Sequence, residues 1–398
     1  MRVTTAYTFD RSIDLLQRRS QAMAEAQERL SSGKKVARAS DDPTAAARAE
    51  RALAREARAD ANQRALDASR NAMVQAESAL GDASDLLHSA RELIVQAGNP
   101  AYTDAQRRDL SAALKGLRDQ MLQVANRSDG AGGWLFGAQG ASAPPFVDAP
   151  GGVQYRGTQG QLNVATDEPL PLTADGGAIF LQANSGNGVF VTEPAATNGP
   201  GAWIDAGSVT NPSALTGDTL ELVFSTGTAG TSYAVLRNGA ATGITAAPYV
   251  SGQAIELDGM AVTITGTPAT GDRFELAPSA RELSVFSALD RVIGDLALSN
   301  RSGAQRTQGV QTALRDLDAS LSGLVGERAR LGEVLNRTDA VEERIADGKL
   351  LAQTERSAAE DIDMVQAVSE FSARQTSYDA ALKAYSMVQK LSLFDYIR

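Results

Sequence analysis

A chain of 398 residues is long enough for two or three domains and a sizeable core. Its net charge of −10 argues against nucleic-acid binding, which relies on cationic side chains against phosphate, and the lack of any cysteine excludes disulfides and thiolate chemistry. Aromatic residues are only 5% of the chain while Ala, Gln, Arg and Glu abound, a balance that favours extended helices.

The opening Met1-Arg2-Val3-Thr4-Thr5 has no apolar core of the kind a signal peptide carries, and no run of about 18 apolar residues occurs. Membrane insertion is therefore not expected, and any export would use a route without a cleaved signal. Phe9, Ile13, Leu16, Ser20, Met23, Gln27 and Leu30 recur at alternating steps of four and three, the seam of a helix that packs lengthwise on another. That helix should end at Ser31-Ser32-Gly33, since Gly tolerates the left-handed closing turn. Asp41-Asp42-Pro43 then supplies an acidic N-cap and a proline pre-set for the first turn, so residues 33–42 form a joint.

From Thr44 to Ala97 the helical pattern holds for about 80 Å at the α-helical rise. Leu66, Met73, Leu80, Leu87 and Ile94 recur every seventh residue, with Ala76, Ala83, Ala90 and Ala97 leaving room for a close neighbour. Gly98-Asn99-Pro100 breaks this helix, and Thr103 with Gln106 makes a capping box for the next, whose seam is Leu110, Leu114, Leu117, Met121 and Val124. The two should form an antiparallel hairpin.

Between Asn126 and Ser279 lysine vanishes and Gly and Thr crowd in. Ile255-Glu256-Leu257, Asp258-Gly259 and Met260 to Ile264 spell a two-residue type I′ hairpin; Leu220–Phe224, Tyr233–Leu236 and Phe274–Leu276 read as further strands. Helix resumes near Ala280 through Phe286, Leu289, Ile293 and Leu296, and pauses at Ser299 to Gly303. A long seam then runs from Val310 through Leu317, Leu324 and Leu331 to Ile345, and loses phase around Gly348, which makes Gly348 to Ser357 a candidate second joint. A last seam follows: Met364, Val368, Phe371, Gln375, Tyr378, Leu382, Tyr385.

The predicted fold is mainly α with an inserted β domain. An N-terminal coiled-coil segment, 1–42, pairs with 355–398; a helical rod comes in two halves, 43–130 and 280–354; a β-rich domain occupies 131–279. The terminal seam residues Phe9, Ile13, Leu16, Met23, Leu30, Met364, Val368, Phe371, Tyr378, Leu382 and Tyr385 are faces for another helix, in a bundle within one chain or, if copies associate through their ends, as the assembly interface. The two ends are expected to gain order only when neighbouring copies cover their remaining surfaces.

Chemistry has little to stand on. His88 is the sole histidine and has no cysteine or second histidine to share a metal. Asp205, Asp218, Glu221, Asp258 and Glu275 are scattered carboxylates with no spacing that pairs them, and Gly130 to Gly133 lack the lysine and the strand-to-helix setting of a phosphate loop, so they read as a flexible lead-in to the β domain. No catalytic residue, cofactor or metal is expected.

Gln27 to Val36 (QERLSSGKKV) with Ala39-Ser40-Asp41-Asp42-Pro43, and Lys390 to Ile397 (KLSLFDYI), resemble the terminal signatures of the bacterial flagellin superfamily. Met1 to Thr5, Arg91 to Asn99 (RELIVQAGN), Trp134-Leu135-Phe136-Gly137, Pro145-Phe146 and Val153 to Gly157 favour a hook–filament junction subunit over a filament subunit. The resemblance covers about the first 160 and last 120 residues. It implies a non-enzymatic, extracellular flagellar subunit exported through the type III channel, with an export chaperone. Such a subunit would self-assemble into a ring between hook-associated protein 1 and flagellin. A filament subunit and a secreted adhesin with a ligand-binding β domain are the competing readings.

Overall fold

The computed structural model describes residues 5–160, 162–164, 169–228 and 230–396. Its helices are α1 (Thr5–Ser32), α2 (Pro43–Ala97), α3 (Asp104–Ala125), α4 (Gly176–Leu181), α5 (Val285–Ala297), α6 (Gly303–Glu360) and α7 (Met364–Tyr396), with short strands between α3 and α5. The chain divides into two compact units, Met1–Arg64 with Val341–Arg398, and Ala65–Ala340. The fold is mainly helical with long terminal helices and a β-rich insert.

In the terminal unit α1 and α7 pack antiparallel. Arg19 donates to the Ser377 carbonyl (2.5 Å) and Arg374 to the Ala22 carbonyl (3.0 Å), so partner numbers fall as α1 proceeds. Gly33, at φ 70°, closes α1 in the left-handed conformation that glycine adopts without strain. The joint after it is stitched to the returning chain: Lys35 N donates to Glu360 O (2.7 Å) and Ile362 N to Gly33 O (3.0 Å). Asp42 Oδ1 then accepts from Thr44 N and Ala45 N (2.9 and 3.0 Å), which caps α2. The Ala45 amide, ahead of the Thr44 hydroxyl, holds the Asp42 carboxyl below the usual carboxylate range.

Past this joint the first part of α2 and the last part of α6 run antiparallel, linked by Arg55–Glu355 (2.7 Å), Arg356–Glu56 (2.8 Å) and Lys349–Asp60 (2.7 Å). The second joint differs from the expected Gly348 to Ser357. Helix α6 continues to Glu360, and the break falls at Asp361–Asp363, where Asp363 Oδ1 caps α7 through Val365 N and Gln366 N (2.9 and 3.2 Å). A helix-interior glycine costs only about 1 kcal/mol. Here the ion pairs to Lys349 and Arg356 and the burial of Ala352 carry the helix through it.

In the second unit Leu66, Met73, Leu80, Leu87 and Ile94 of α2 are completely buried, and the alanines three places on lie beside them. The Thr103–Gln106 capping box starts α3, which packs on α5 and is tied to α2 by Arg127–Asp82 (2.6 Å). Helix α5 begins at Val285, later than the expected Ala280. Residues 281–283 are a strand paired with Ala183–Asn184, and the Ser284 side chain caps the helix by accepting from Ser287 N.

The stretch read as one β-rich insert has two fates. Leu135, Phe136, Phe146, Ile179 and Phe180 join the helical core, where Phe136 and Phe180 meet edge to face at 5.2 Å. The turn at Gly130 to Gly133 is closed by Asp129 Oδ1, which accepts from Ala131 N and Gly133 N (both 2.8 Å); the flexible lead-in is a hydrogen-bonded turn.

From Phe190 to Pro278 two antiparallel sheets share one core. The larger runs in the order Ala240–Ala241, Gly230–Arg237, Leu220–Gly227, Arg273–Pro278, Phe190–Pro194; the smaller pairs Ala254–Leu257 with Met260–Gly266 and the latter with Ala202–Ile204. Every second residue points inward, as in Leu220, Leu222 and Phe224 and in Met260, Val262 and Ile264. Asp258 and Gly259 have φ 47° and 79°, the positive pair a type I′ turn demands. The sandwich rests on α6: Arg315 donates to Thr192 O (2.5 Å) and Gln308 accepts from Ile204 N (2.8 Å).

Candidate assembly surface

The sequence places its expected interface on α1 and α7, and the structure divides those residues between two faces. Phe371, Tyr378 and Tyr385 are half-buried, as are Ile13, Leu16, Met23 and Leu30 of α1. Met364, Val368 and Leu382 point outward and are exposed, Leu382 by 41%; the Phe9 side chain lies outside the described residues. The more buried face of α7 is Ala367, Phe371, Arg374, Tyr378, Ala381 and Tyr385, which keeps the steps of four and three but uses alanine and arginine where the larger side chains had been taken as markers. Ala26 of α1, buried, and the arginine-to-carbonyl bonds of Arg19 and Arg374 were missed for the same reason. Alanines at helical spacing were the available signal, since small residues let two backbones approach.

The outer face of α7 carries Met364, Val365, Val368, Leu382 and Met387, and Val365 is 83% exposed; Tyr7 and Leu15 of α1 are exposed as well. A helix apolar on more than one side is one that becomes buried on more than one side. Among the described residues α7 packs on α1 through its other face, and these outer side chains stay exposed to another molecule.

The sequence signatures serve the scaffold of their own units. Lys34 pairs with Glu360 (3.0 Å) and Lys35 donates to Ala358 O (2.7 Å), so the first signature holds the joint. Arg91 bridges to Asp318 (2.8 Å), and the Tyr155 hydroxyl donates to Phe136 O (3.1 Å), with burial foremost in pushing its pKa up to about 12. Met1–Thr4 and Ile397 lie outside the described residues, as do the side chains of Lys390 to Tyr396.

The residues weighed for chemistry are dispersed. His88 is exposed on α2. Asp205 Oδ1 accepts from Thr263 N and Gly207 N, Glu221 pairs with Arg273 (3.0 Å), and Asp218 and Asp258 flank Arg237 at 3.4 and 2.7 Å. These carboxylates close turns and bridge strands. Among the described residues no group of three or more His, Cys, Asp or Glu is arranged to hold a metal, and no helix is long and apolar enough to cross a membrane.

Residues 11–141 match the bacterial flagellin N-terminal helical region, and residues 314–397 match its C-terminal helical region. Residues 196–278, most of the sandwich, match the D2-like domain of flagellar hook-associated protein 1. Flagellar hook-associated protein 3 of Escherichia coli is 24% identical over 371 residues, which cover 92% of this chain and 90% of that one. The protein of the same name from Salmonella typhimurium is 26% identical over 167 residues, 42% of this chain; the match spans about half, 52%, of that relative. The crystal structure of flagellar hook associated protein-3 from Legionella pneumophila aligns with TM-score 0.71 at 26% identity, covering 77% of this chain and 97% of that one. Xanthomonas campestris FlgL aligns with TM-score 0.67 at 27% identity, covering 76% and 99%. With flagellin helical regions at both ends and relatives of one kind along most of its length, the chain belongs to the bacterial flagellin superfamily, in its hook-associated protein 3 family.

Proposed function

We propose that this chain is a structural subunit of the bacterial flagellum that joins the hook to the flagellin filament, polymerising through its terminal helices. The observation that carries the reading is the outer face of α7, where Met364, Val365, Val368, Leu382 and Met387 stay exposed on a helix whose other side already packs on α1. Exposed apolar side chains at both ends of one helix mark an interaction site, and in this family the partners are flagellar subunits. Copies of the same chain occupy the flanks, hook-associated protein 1 the hook side and flagellin the filament side. An export chaperone covers the apolar ends before assembly, and export runs through the type III channel. Residues 1–42 with 355–398, the rod halves 43–130 and 280–354, and the insert 131–279 are the working division of labour, with the terminal pair as the polymerising part.

Deleting the gene tests the reading. The expected strain completes its hooks and releases flagellin as monomer into the medium. Filaments of normal length on the deletion strain would overturn the junction role; intact motility would do so as well.

A further inference from the structure

The outward side of α2 in the terminal unit carries a second, different seam. Ala47, Arg51, Ala54, Arg58 and Ala61 follow steps of four and three, and all are exposed. Arg48 and Arg55 flank them, so a chain of net charge −10 collects four arginines on one side of one helix. Arg55 is engaged with Glu355 (2.7 Å), whereas Arg48, Arg51 and Arg58 form no ion pair among the described residues, and Arg51 donates only to the Ala47 carbonyl of its own helix. Toward one edge of this face a groove of about 370 Å³ separates Arg48, Arg51 and Arg55 from Glu355, Ala358 and Ala359 of the same chain's α6.

The same unit holds the complement. On α6, Glu343, Asp347, Leu350 and Thr354 share that spacing and are exposed, Leu350 by 62%, and neither Glu343 nor Asp347 forms an ion pair among the described residues. One seam alternates small and cationic side chains and the other presents carboxylates and leucine. The small residues admit a close helix, and the opposite charges set its register and reject a like-charged face.

We infer that a second copy of this chain seats the Glu343–Asp347–Leu350 face of its α6 on the Arg51–Ala54–Arg58 face of α2. The inference rests on the proposed junction role and names the lateral contact within it. The two patches differ, so the contact is head to tail, and repeated head-to-tail contacts close a ring or continue as a helix. The contact is separate from the apolar face of α7.

The chain has no cysteine, so a disulfide can form only where one is introduced. In cells that make one chain with Ala54→Cys and another with Leu350→Cys, oxidation of isolated flagella should give a covalent dimer; cells making either variant alone should not. In parallel, Arg51→Glu with Arg58→Glu should cut incorporation at least tenfold, as should Glu343→Arg with Asp347→Arg. The chain carrying all four substitutions should recover it, because every copy then meets a partner of reversed sign. Circular dichroism of each variant checks that these exposed changes leave the fold intact. Wild-type incorporation of either reversed pair overturns the contact, as does failure of the four-substitution chain to recover, or a missing mixed dimer in flagella that contain the chain. Absence of the wild-type chain from isolated flagella is a distinct result and overturns the junction role itself.

Discussion

Arg118 is where the helical core meets its sequence neighbours. Its side chain is 7% exposed, bonds Asp148 on the Phe146–Ala149 strand (2.5 and 2.8 Å) and Asp290 on α5 (2.9 Å), and lies over the Phe286 ring at 6.0 Å. Both carboxylates are part-exposed, so solvent screens the pairs, and a loss of about 1–3 kcal/mol is expected for Arg118→Met, from unmade charged hydrogen bonds. The Arg118 hydrogen bond comes first among the causes that lower the Asp148 pKa. A lowered folded-state pKa means stability that is present above the ordinary aspartate value and lost as pH falls through the folded-state value. The gap between wild type and Arg118→Met in urea midpoint should therefore narrow between pH 7 and pH 3. A gap of constant size across that range would show that Arg118 acts by packing alone.

At the scale of elements, the sandwich is a separable insertion. Ser185 N donates to Ala280 O (2.9 Å), Ala280 N to Ser185 Oγ (3.0 Å), and Ser279 Oγ to Ser185 O (2.7 Å), so the chain leaves the helical core and returns at adjacent points. Replacing residues 186–279 by a short flexible linker should keep a cooperative helical melt. Excising 140–275 instead removes Phe146 and Phe180 from the core, and large buried aromatics cost about 3–5 kcal/mol each when truncated. That variant should melt at a lower temperature and less cooperatively. Equal melts for the two excisions would refute this assignment of residues 135–181.

The reason the sequence did not separate those parts is physical. Turn residues and short alternating runs announce strands wherever they occur, and nothing local says whether Phe146 packs on helices or on a sheet. Seam patterns were more legible, because Leu66, Met73 and Leu80 repeat with the period of the contact they make. Gly348 misled through the opposite effect, a local weakness overruled by ion pairs from distant residues. With open space around it and an ordinary helical conformation, Gly348→Ala should stabilise the terminal unit by about 0.5–1 kcal/mol. A lowered melting temperature would place the break where the sequence pattern put it.

For the whole molecule, the proposed passage from export to assembly turns on the terminal pair. The residues facing each other on α1 and α7 are mostly half-buried, with Ala26 and Ala367 the small buried exceptions, whereas α2 in the second unit buries a complete seam. Burial is the main term opposing the entropy of ordering each residue, about 1–2 kcal/mol of backbone. The isolated ends should thus open far more readily than the core, and amides across residues 9–30 and 364–390 should exchange orders of magnitude faster in the purified chain than those of residues 66–97. Leu382 stands on the outer face, 41% exposed, so Leu382→Asp should leave the melting of the purified chain nearly unchanged. In the assembled structure the same carboxylate would be buried without a partner, which costs far more than the lost leucine contact. Incorporation at the hook tip should fall below detection. Strong protection at both ends of the purified chain, or normal incorporation of Leu382→Asp, would mean that α7 is already satisfied by α1 and that polymerisation runs through another surface.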